Sequence, residues 1–187
     1  MDRSTRQAAL IATAVALPLA LIVVLLSFWR FSPDDPKAAP ATPSPAAQAT
    51  TPVPMAAPAL SPRAATLCRA LLSQLPQTIR DRAQRPVTAG TEQNAAYGDP
   101  AITLACGIPA PTFPPTDLVN LLDKVCWHSA DTAGGTVLTT VDREVPIQVT
   151  VPKSYEAAGQ WAIVFSNPVI ETVPKMATPP AGCAGSR

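Results

Sequence analysis

The sequence of residues 97–107 is Tyr-Gly-Asp-Pro-Ala-Ile-Thr-Leu-Ala-Cys-Gly. Its first four residues, 97–100, form a Gly/Pro turn cluster that typically marks a change in chain direction. Larger apolar residues then alternate with Thr103 and Ala105 as far as Cys106, and this alternation predicts a half-buried β-strand that stops at Gly107. The stretch therefore indicates β-structure in the middle of the folded part of the chain.

Upstream of this strand, the sequence predicts an amphipathic helix over residues 63–75, in which leucines recur at helical spacing. Thr66 or Ser61 is the expected N-cap, and Pro76 ends the helical pattern. Residues 77–100 are polar and are expected to form a solvated loop that leads into the turn.

Downstream, three further segments predict strands, namely 125–128, 136–141 and 145–151. Pro146 favours an edge position for the last of them, because proline cannot donate a hydrogen bond to a neighbouring strand. A short helix is expected over 155–166, with Ser154 as its cap. Strands in the middle and helices at both ends indicate an α+β fold, a small antiparallel sheet with flanking helices.

The N-terminal part of the chain has a different composition. From Ala8 to Trp29 it runs 22 residues without a formal charge, which at about 1.5 Å per residue matches a hydrocarbon core of about 30 Å. We therefore expect a single transmembrane helix over 8–29, preceded by a cytoplasmic tail, 1–7. A cleaved signal peptide is the alternative, but its apolar region is usually only about 7–15 residues long.

A proline-rich segment, residues 30–62, separates this apolar run from the domain. It contains nine prolines, and Ala, Thr and Ser fill most other positions. Such a composition predicts a disordered, extended stalk; a proline-rich ligand for a recognition domain is the alternative. The folded domain is then 63–187, with ten Lys and Arg against ten Asp and Glu. A neutral domain of this kind gives no electrostatic reason to bind nucleic acid.

Four cysteines follow the apolar run, at Cys68, Cys106, Cys126 and Cys183. None of them form a C-x-x-C pair, so neither a zinc site nor a thioredoxin-type redox motif is supported. An even number of cysteines outside the cytoplasm favours two disulfides, and three pairings are open. We favour Cys68–Cys106, which ties the first helix to the strand, together with Cys126–Cys183, which tethers the C-terminal tail. The stalk and the cysteines also set the expected topology, with the N-terminus cytoplasmic and the domain outside the cell membrane.

The sequence contains no recognised catalytic, cofactor-binding or metal-binding motif. A polar ligand patch is one hypothesis, formed by the side chains of Tyr97, Asp99, Asp142 and Arg143. Three arginines in the polar segment are another source of ligand contacts, through a phosphate or carboxylate of an envelope polymer: Arg80, Arg82 and Arg85. The only histidine, His128, is expected to have a structural or surface role.

Several short motifs of the domain resemble the actinobacterial family of unknown function DUF3515. They are Cys68-Arg69-Ala70-Leu71, Leu75-Pro76, Arg85-Pro86, Ala96-Tyr97-Gly98-Asp99-Pro100, Leu104-Ala105-Cys106-Gly107-Ile108, Pro111, Trp127, Asp142-Arg143 and Val149-Thr150-Val151-Pro152. The resemblance covers roughly residues 66–174, with Tyr97 where the family usually has Trp. It implies an exported or membrane-attached envelope protein without a known activity, and the joint recurrence of Cys68 and Cys106 supports their pairing.

Two functions are compatible with these observations. The first is a non-catalytic accessory module that binds an envelope protein or a cell-wall component. The second is an envelope hydrolase or transferase that uses carboxylates such as Asp99 and Asp142, with Glu92 and Glu156 as further candidates. The placement of these carboxylates in the folded domain distinguishes the two hypotheses.

Overall fold

A computed structural model of the chain describes residues 18, 21–27, 30, 49–180 and 182–183. The chain divides into two compact units, Met1–Ala46 and Ala47–Arg187. In the first unit residues 21–27 are helical, while the predicted tail and most of the predicted membrane helix and stalk lie outside the described residues. None of the helices formed by described residues is both long and apolar enough to cross a membrane.

The second unit is built on one antiparallel sheet of eight strands. In chain order they are β1 (Thr78–Ile79), β2 (Arg82–Arg85), β3 (Asn94–Tyr97), β4 (Ile102–Cys106), β5 (Val119–Leu122), β6 (Val125–Asp131), β7 (Gly135–Thr140) and β8 (Ile147–Pro152). Their spatial order is β1-β2-β3-β4-β8-β7-β6-β5. The sheet thus consists of two antiparallel meanders that join where β4 pairs with β8.

The first helix, α1 (Pro62–Gln74), begins and ends where the sequence indicates. The hydroxyl of Ser61 accepts a hydrogen bond from the backbone N–H of Ala64 at 3.2 Å, so Ser61 is the N-cap. Thr66, the other candidate, instead donates its hydroxyl to the carbonyl of Pro62 within the first turn. Leu67, Cys68 and Leu71 form the buried face of the helix.

The C-terminal helical region consists of α2 (Ala158–Ala162), a 3-10 turn (Ile163–Phe165) and α3 (Ser166–Thr172). The expected cap at Ser154 is wrong, because α2 starts after Ala157, whose φ of 53° turns the chain sharply into the helix without any side-chain cap. The region extends to residue 172, six residues beyond the predicted end at 166. Its apolar residues cover the same face of the sheet as α1.

The main core lies between these helices and one face of the sheet, called here the inner face. Alternate residues of β4 and β8 point into it: Ile102, Leu104, Cys106, Ile147, Val149 and Val151. Trp127 of β6 and Phe165 of the 3-10 turn fill the centre, and both are fully buried. The α+β fold class, with an antiparallel sheet and flanking helices, is therefore confirmed for the domain.

The edge position predicted for the last strand is wrong. Strand β8 lies in the middle of the sheet and pairs with β4 on one side and β7 on the other. Pro146 does not prevent this, because it comes one residue before β8 begins and its carbonyl accepts a hydrogen bond from the N–H of Gly107. The missing N–H of proline therefore falls outside both ladders.

The structure also contains strands where the sequence indicates a loop. Strands β1, β2 and β3 lie within 78–97, and β5 precedes the predicted strand at 125. Strand β2 has the sequence Arg-Ala-Gln-Arg and all four residues are half-buried. It therefore shows no alternation of apolar and polar residues, the signal on which sequence-based assignment of strands depends.

Both favoured disulfides are present. Cys68 of α1 is bonded to Cys106 at the end of β4, and Cys126 of β6 is bonded to Cys183 in the C-terminal tail. The first bond lies in the main core. The second lies in a small separate cluster with Val141, which holds the tail against the opposite face of the sheet.

The described part of the predicted stalk, from residue 49 onward, differs from the expectation. Residues 49–61, called here the N-terminal strap, pack against the domain in an extended conformation. Val53 is buried and forms a parallel bridge with Val87, and its N–H donates to the carbonyl of Pro86 at 2.8 Å. The folded domain therefore begins about 14 residues before the predicted boundary at 63, because distant side chains supply donors for the carbonyl groups of the strap.

Candidate functional site

The four residues of the predicted polar patch have different environments. Tyr97 is fully buried on the inner face, and its hydroxyl donates to the carbonyl of Pro76 at 2.9 Å. Burial raises the pKa of the Tyr97 phenol above its ordinary value. Tyr97 thus packs beneath the end of α1 and offers no group to a ligand.

Asp142 and Arg143 form a buried ion pair that is also structural. Asp142 is fully buried and Arg143 is 3% exposed. The guanidinium Nε donates to Asp142 Oδ1 at 3.2 Å, while Nη2 donates to the carbonyl of Lys124 at 2.7 Å and Nη1 to that of Val173 at 3.4 Å. Arg143 therefore ties the β5–β6 turn to the end of α3.

Asp99 is the only exposed member of the predicted patch, and Arg85 Nη1 lies 3.4 Å from its Oδ1. It belongs to the turn before Ile102, whereas Asp142 and Arg143 precede Ile147. Because Ile147 pairs with Cys106, at the far end of β4, the two halves of the predicted patch lie at opposite ends of the β4–β8 pair. The structure does not bring them together.

The three arginines of the β1–β2 region do not converge on a ligand site either. The guanidinium of Arg80 lies over the ring of Trp161 at 4.9 Å, and that of Arg82 lies 5.6 Å from the ring of Tyr155. Arg85 is directed inward, where it donates to the carbonyls of Gly98 and Thr51. Each arginine fixes a different neighbour, and Arg85 joins the strap to the sheet.

The other carboxylates named from the sequence are also dispersed. Glu92 pairs with Arg69 at 2.9 Å on the surface, and Glu156 is exposed beside α2. His128 stacks on Phe113 with ring centroids 4.2 Å apart, and its Nε2 lies 3.0 Å from Asp117 Oδ2. Over the described ranges no three His, Cys, Asp or Glu residues come close enough to hold a metal ion.

A different feature emerges on the sheet face opposite the helices, called here the outer face. Cross-strand pairing aligns two rows of side chains on it. One row is Asn94, Ala105, Gln148, Thr139 and His128, and the other is Ala96, Thr103, Thr150, Val137 and Ala130. Since directly opposed residues share a face, the centre of the outer face, on β4 and β8, is a band of Ala, Thr and Gln side chains.

The strap closes one side of this band and creates a groove with a cavity volume of about 310 Å³. Its walls and floor comprise Pro54, Met55, Ala56, Pro58, Gln93, Asn94, Thr103, Ala105, Cys106, Ile108, Gln148 and Thr150. None of these residues is charged. The volume is at the lower end of the range of about 300–1,000 Å³ that is usual for ligand sites.

Side-chain amides hold the strap in place at the groove. Asn94 Nδ2 donates to the carbonyl of Ala56 at 2.9 Å, and Gln93 Nε2 donates to that of Pro58 at 3.2 Å. On the floor, the side chains of Thr103, Gln148 and Thr150 are half-buried, and within the described part of the chain they take part in no hydrogen bond. The groove therefore has neutral polar groups available to a ligand. None of the described lining residues has a side chain that titrates near neutral pH.

A family model described as a protein of unknown function (DUF3515) matches residues 15–178. The chain belongs to the DUF3515 family. The resemblance seen in the domain motifs is thereby confirmed, and the match includes the strap as well as the domain. No curated protein and no solved structure matches this DUF3515 chain.

The groove of this DUF3515 protein was not foreseen from its sequence. Alternation in β4 and β8 does indicate that Thr103, Gln148 and Thr150 share the face opposite the core. The wall of the groove, however, is formed by the strap, which lies about 50 residues earlier in the chain than β4. No local pattern links the two segments.

Proposed function

We propose that this DUF3515 protein is a single-pass membrane protein of the cell envelope whose domain acts outside the cytoplasm as a non-catalytic binding or accessory module. The neutral groove on the outer face is the observation on which the binding role rests. It is concave, it is bounded by residues held through specific hydrogen bonds, and it presents uncharged donors and acceptors. Binding without catalysis fits such a lining.

The location rests on two supports of different kinds. The apolar run 8–29 has the length and composition of a membrane helix. The two disulfides of the domain, Cys68–Cys106 and Cys126–Cys183, are typical of an oxidising compartment. The alternative hydrolase or transferase receives no support from the carboxylates, because Asp142 is buried against Arg143 and Asp99 lies at the opposite end of β4.

Affinity capture with the full chain tests the binding role. The wild-type chain and an Ala105→Arg variant, which places a large cation on the groove floor, are incubated with solubilised envelope. Ala133→Arg is the matched control, since Ala133 lies in the exposed β6–β7 turn. We expect a component that is captured by the wild type and the control and lost with Ala105→Arg. Equal capture by all three chains would contradict the assignment of the groove.

The proposed topology is tested separately. A C-terminal epitope on the full chain is expected to be accessible to antibody on intact spheroplasts and to remain with the membrane fraction after a salt wash. Peptide mapping without reductant is expected to recover both disulfides. Free thiols at all four cysteines, or an epitope exposed only after lysis, would refute an extracytoplasmic domain.

A further inference from the structure

The occupant of the groove can be narrowed to one chemical class, an inference that rests on the proposed binding function. We propose that the groove binds an extended, uncharged peptide segment rich in Ala and Pro that belongs to another polypeptide. The peptide would lie on the outer face between the strap and β8. Its backbone carbonyls would accept hydrogen bonds from the floor of the groove.

The strap itself is an example of this recognition within the chain. It is an Ala/Pro-rich segment, and the domain holds it through backbone hydrogen bonds and through the buried side chain of Val53. Asn94 and Gln93 bind the carbonyls of Ala56 and Pro58, which are two residues apart. Arg85 donates to a third carbonyl of the strap, that of Thr51, at 2.7 Å. Amide and guanidinium groups of the domain thus bind three carbonyls of a segment that has few donors of its own.

The floor of the groove offers further side-chain donors, which have no hydrogen-bond partner in the described part of the chain. Gln148 and Thr150 are two residues apart on β8 and face the same side, so their side chains are separated by roughly 6.6 Å along the strand. Two residues of a β-extended peptide cover the same distance, and its alternate carbonyls point to the same side. Alternate acceptors of a bound extended peptide therefore match the spacing of these two donors.

The remaining walls explain the preference for small, uncharged residues. Met55 and Ile108 provide aliphatic contacts at the sides, and Ala105 leaves space on the floor. A charged side chain would be desolvated here without a partner, because no lining residue has an opposite charge. Proline-rich peptides also lose little conformational entropy on binding, since they are extended before they bind.

A binding titration with the full chain in detergent tests this inference. The probe is a fluorescent peptide with the sequence of residues 38–48, AAPATPSPAAQ, blocked at both ends so that it carries no charge. The control peptide carries Asp at the positions of Ala41 and Ala46. We expect saturable binding of the neutral peptide, measured by fluorescence anisotropy, and at least tenfold weaker binding of the charged one.

Point variants test whether the peptide binds in the groove. Gln148→Ala and Thr150→Val are each expected to weaken the binding of the neutral peptide by about 2- to 10-fold, the usual effect of one lost hydrogen bond. Gln74→Ala and Thr78→Val make the same chemical changes at exposed positions outside the groove and should leave the affinity unchanged. Thermal unfolding of every variant establishes that the domain remains folded.

Several results would overturn the inference. They are absence of binding by the neutral peptide, equal binding of both peptides, and equal effects of groove and control variants. If soluble peptidoglycan fragments bound more tightly than the neutral peptide, and if this binding depended on Gln148, the ligand would be a glycan and the inference would be wrong. If an envelope component is captured through the groove but the neutral peptide does not compete, this inference fails while the proposed binding function stands.

Discussion

Replacing Arg143 with Met removes four hydrogen bonds from the buried interior of the domain. Arg143 is 3% exposed and Asp142 is fully buried, so the variant leaves a carboxylate inside the domain without its cation. Loss of one partner of a buried ion pair costs about 3–5 kcal/mol. The carbonyls of Lys124 and Val173 lose their donor as well. We therefore expect Arg143→Met to lower the free energy of unfolding by about 3–5 kcal/mol.

Arg63→Met is the matched control for this variant. Arg63 also pairs with a carboxylate, that of Glu144 at 2.9 Å, but the two side chains are 60% and 37% exposed. Water screens an exposed pair of this kind, so its contribution to stability is small. Urea unfolding of each chain, followed by tryptophan fluorescence, to which the buried Trp127 and Trp161 contribute, gives the free energies to be compared.

A double variant separates the energetic cost of the unpaired buried charge from the cost of lost packing. Adding Asp142→Asn to Arg143→Met removes the unpaired carboxylate, and we expect it to restore at least about 1 kcal/mol. If Arg143 were a surface residue that grips a ligand, as its sequence context suggests, Arg143→Met would cost no more than Arg63→Met. A loss of stability no larger than that of the control would refute the structural role.

Three further changes test other parts of the domain. Replacing Cys126 and Cys183 together with Ser is expected to lower the free energy of unfolding by up to about 4 kcal/mol, because this bond closes a separation of 57 residues; an unchanged urea midpoint would contradict it. Gly135→Ala is expected to cost about 1–3 kcal/mol, since φ at Gly135 is 154° and an added Cβ would overlap the carbonyl oxygen of Val151; thermal unfolding measures this loss. Burial raises the pKa of Tyr97 from its ordinary value of 10.0, so stability is retained below pH 10 and falls above it as the unfolded chain ionises first. Tyr97→Phe should flatten that alkaline decline, and an identical pH profile for both chains would be inconsistent with this origin.

The sequence by itself was sufficient for those features that depend on neighbouring residues. Leucines at helical spacing and a serine before Pro62 define α1, since both signals lie within the helix and its first turn. Alternation defines β4, and runs of β-branched residues define most of β7 and β8, for the same reason. The two disulfides were also favoured correctly, because Cys68 and Cys106 belong to elements that the sequence already identifies.

The features that the sequence did not predict depend on partners far along the chain. Pro146 suggested an edge strand because it lacks an N–H. The missing N–H has no effect when the proline precedes the paired residues, and the first paired residue of β8 is known only from its pairing with β4 and β7. The polar sequence at Asp142 and Arg143 suggested a surface patch, since charged residues are usually exposed. Both residues are buried, and burial depends on how the whole domain packs.

The candidate site illustrates the same limit. Residues 49–61 have the composition of a disordered stalk, because proline provides no N–H and alanine provides little apolar surface. The domain holds them through their carbonyl oxygens, with donors on Asn94 and Gln93 that are 38 and 35 residues distant in sequence. The sequence thus determined the strands that form the floor of the groove. Only the tertiary structure decided that there is a groove, since its wall forms when donors and acceptors from distant segments meet.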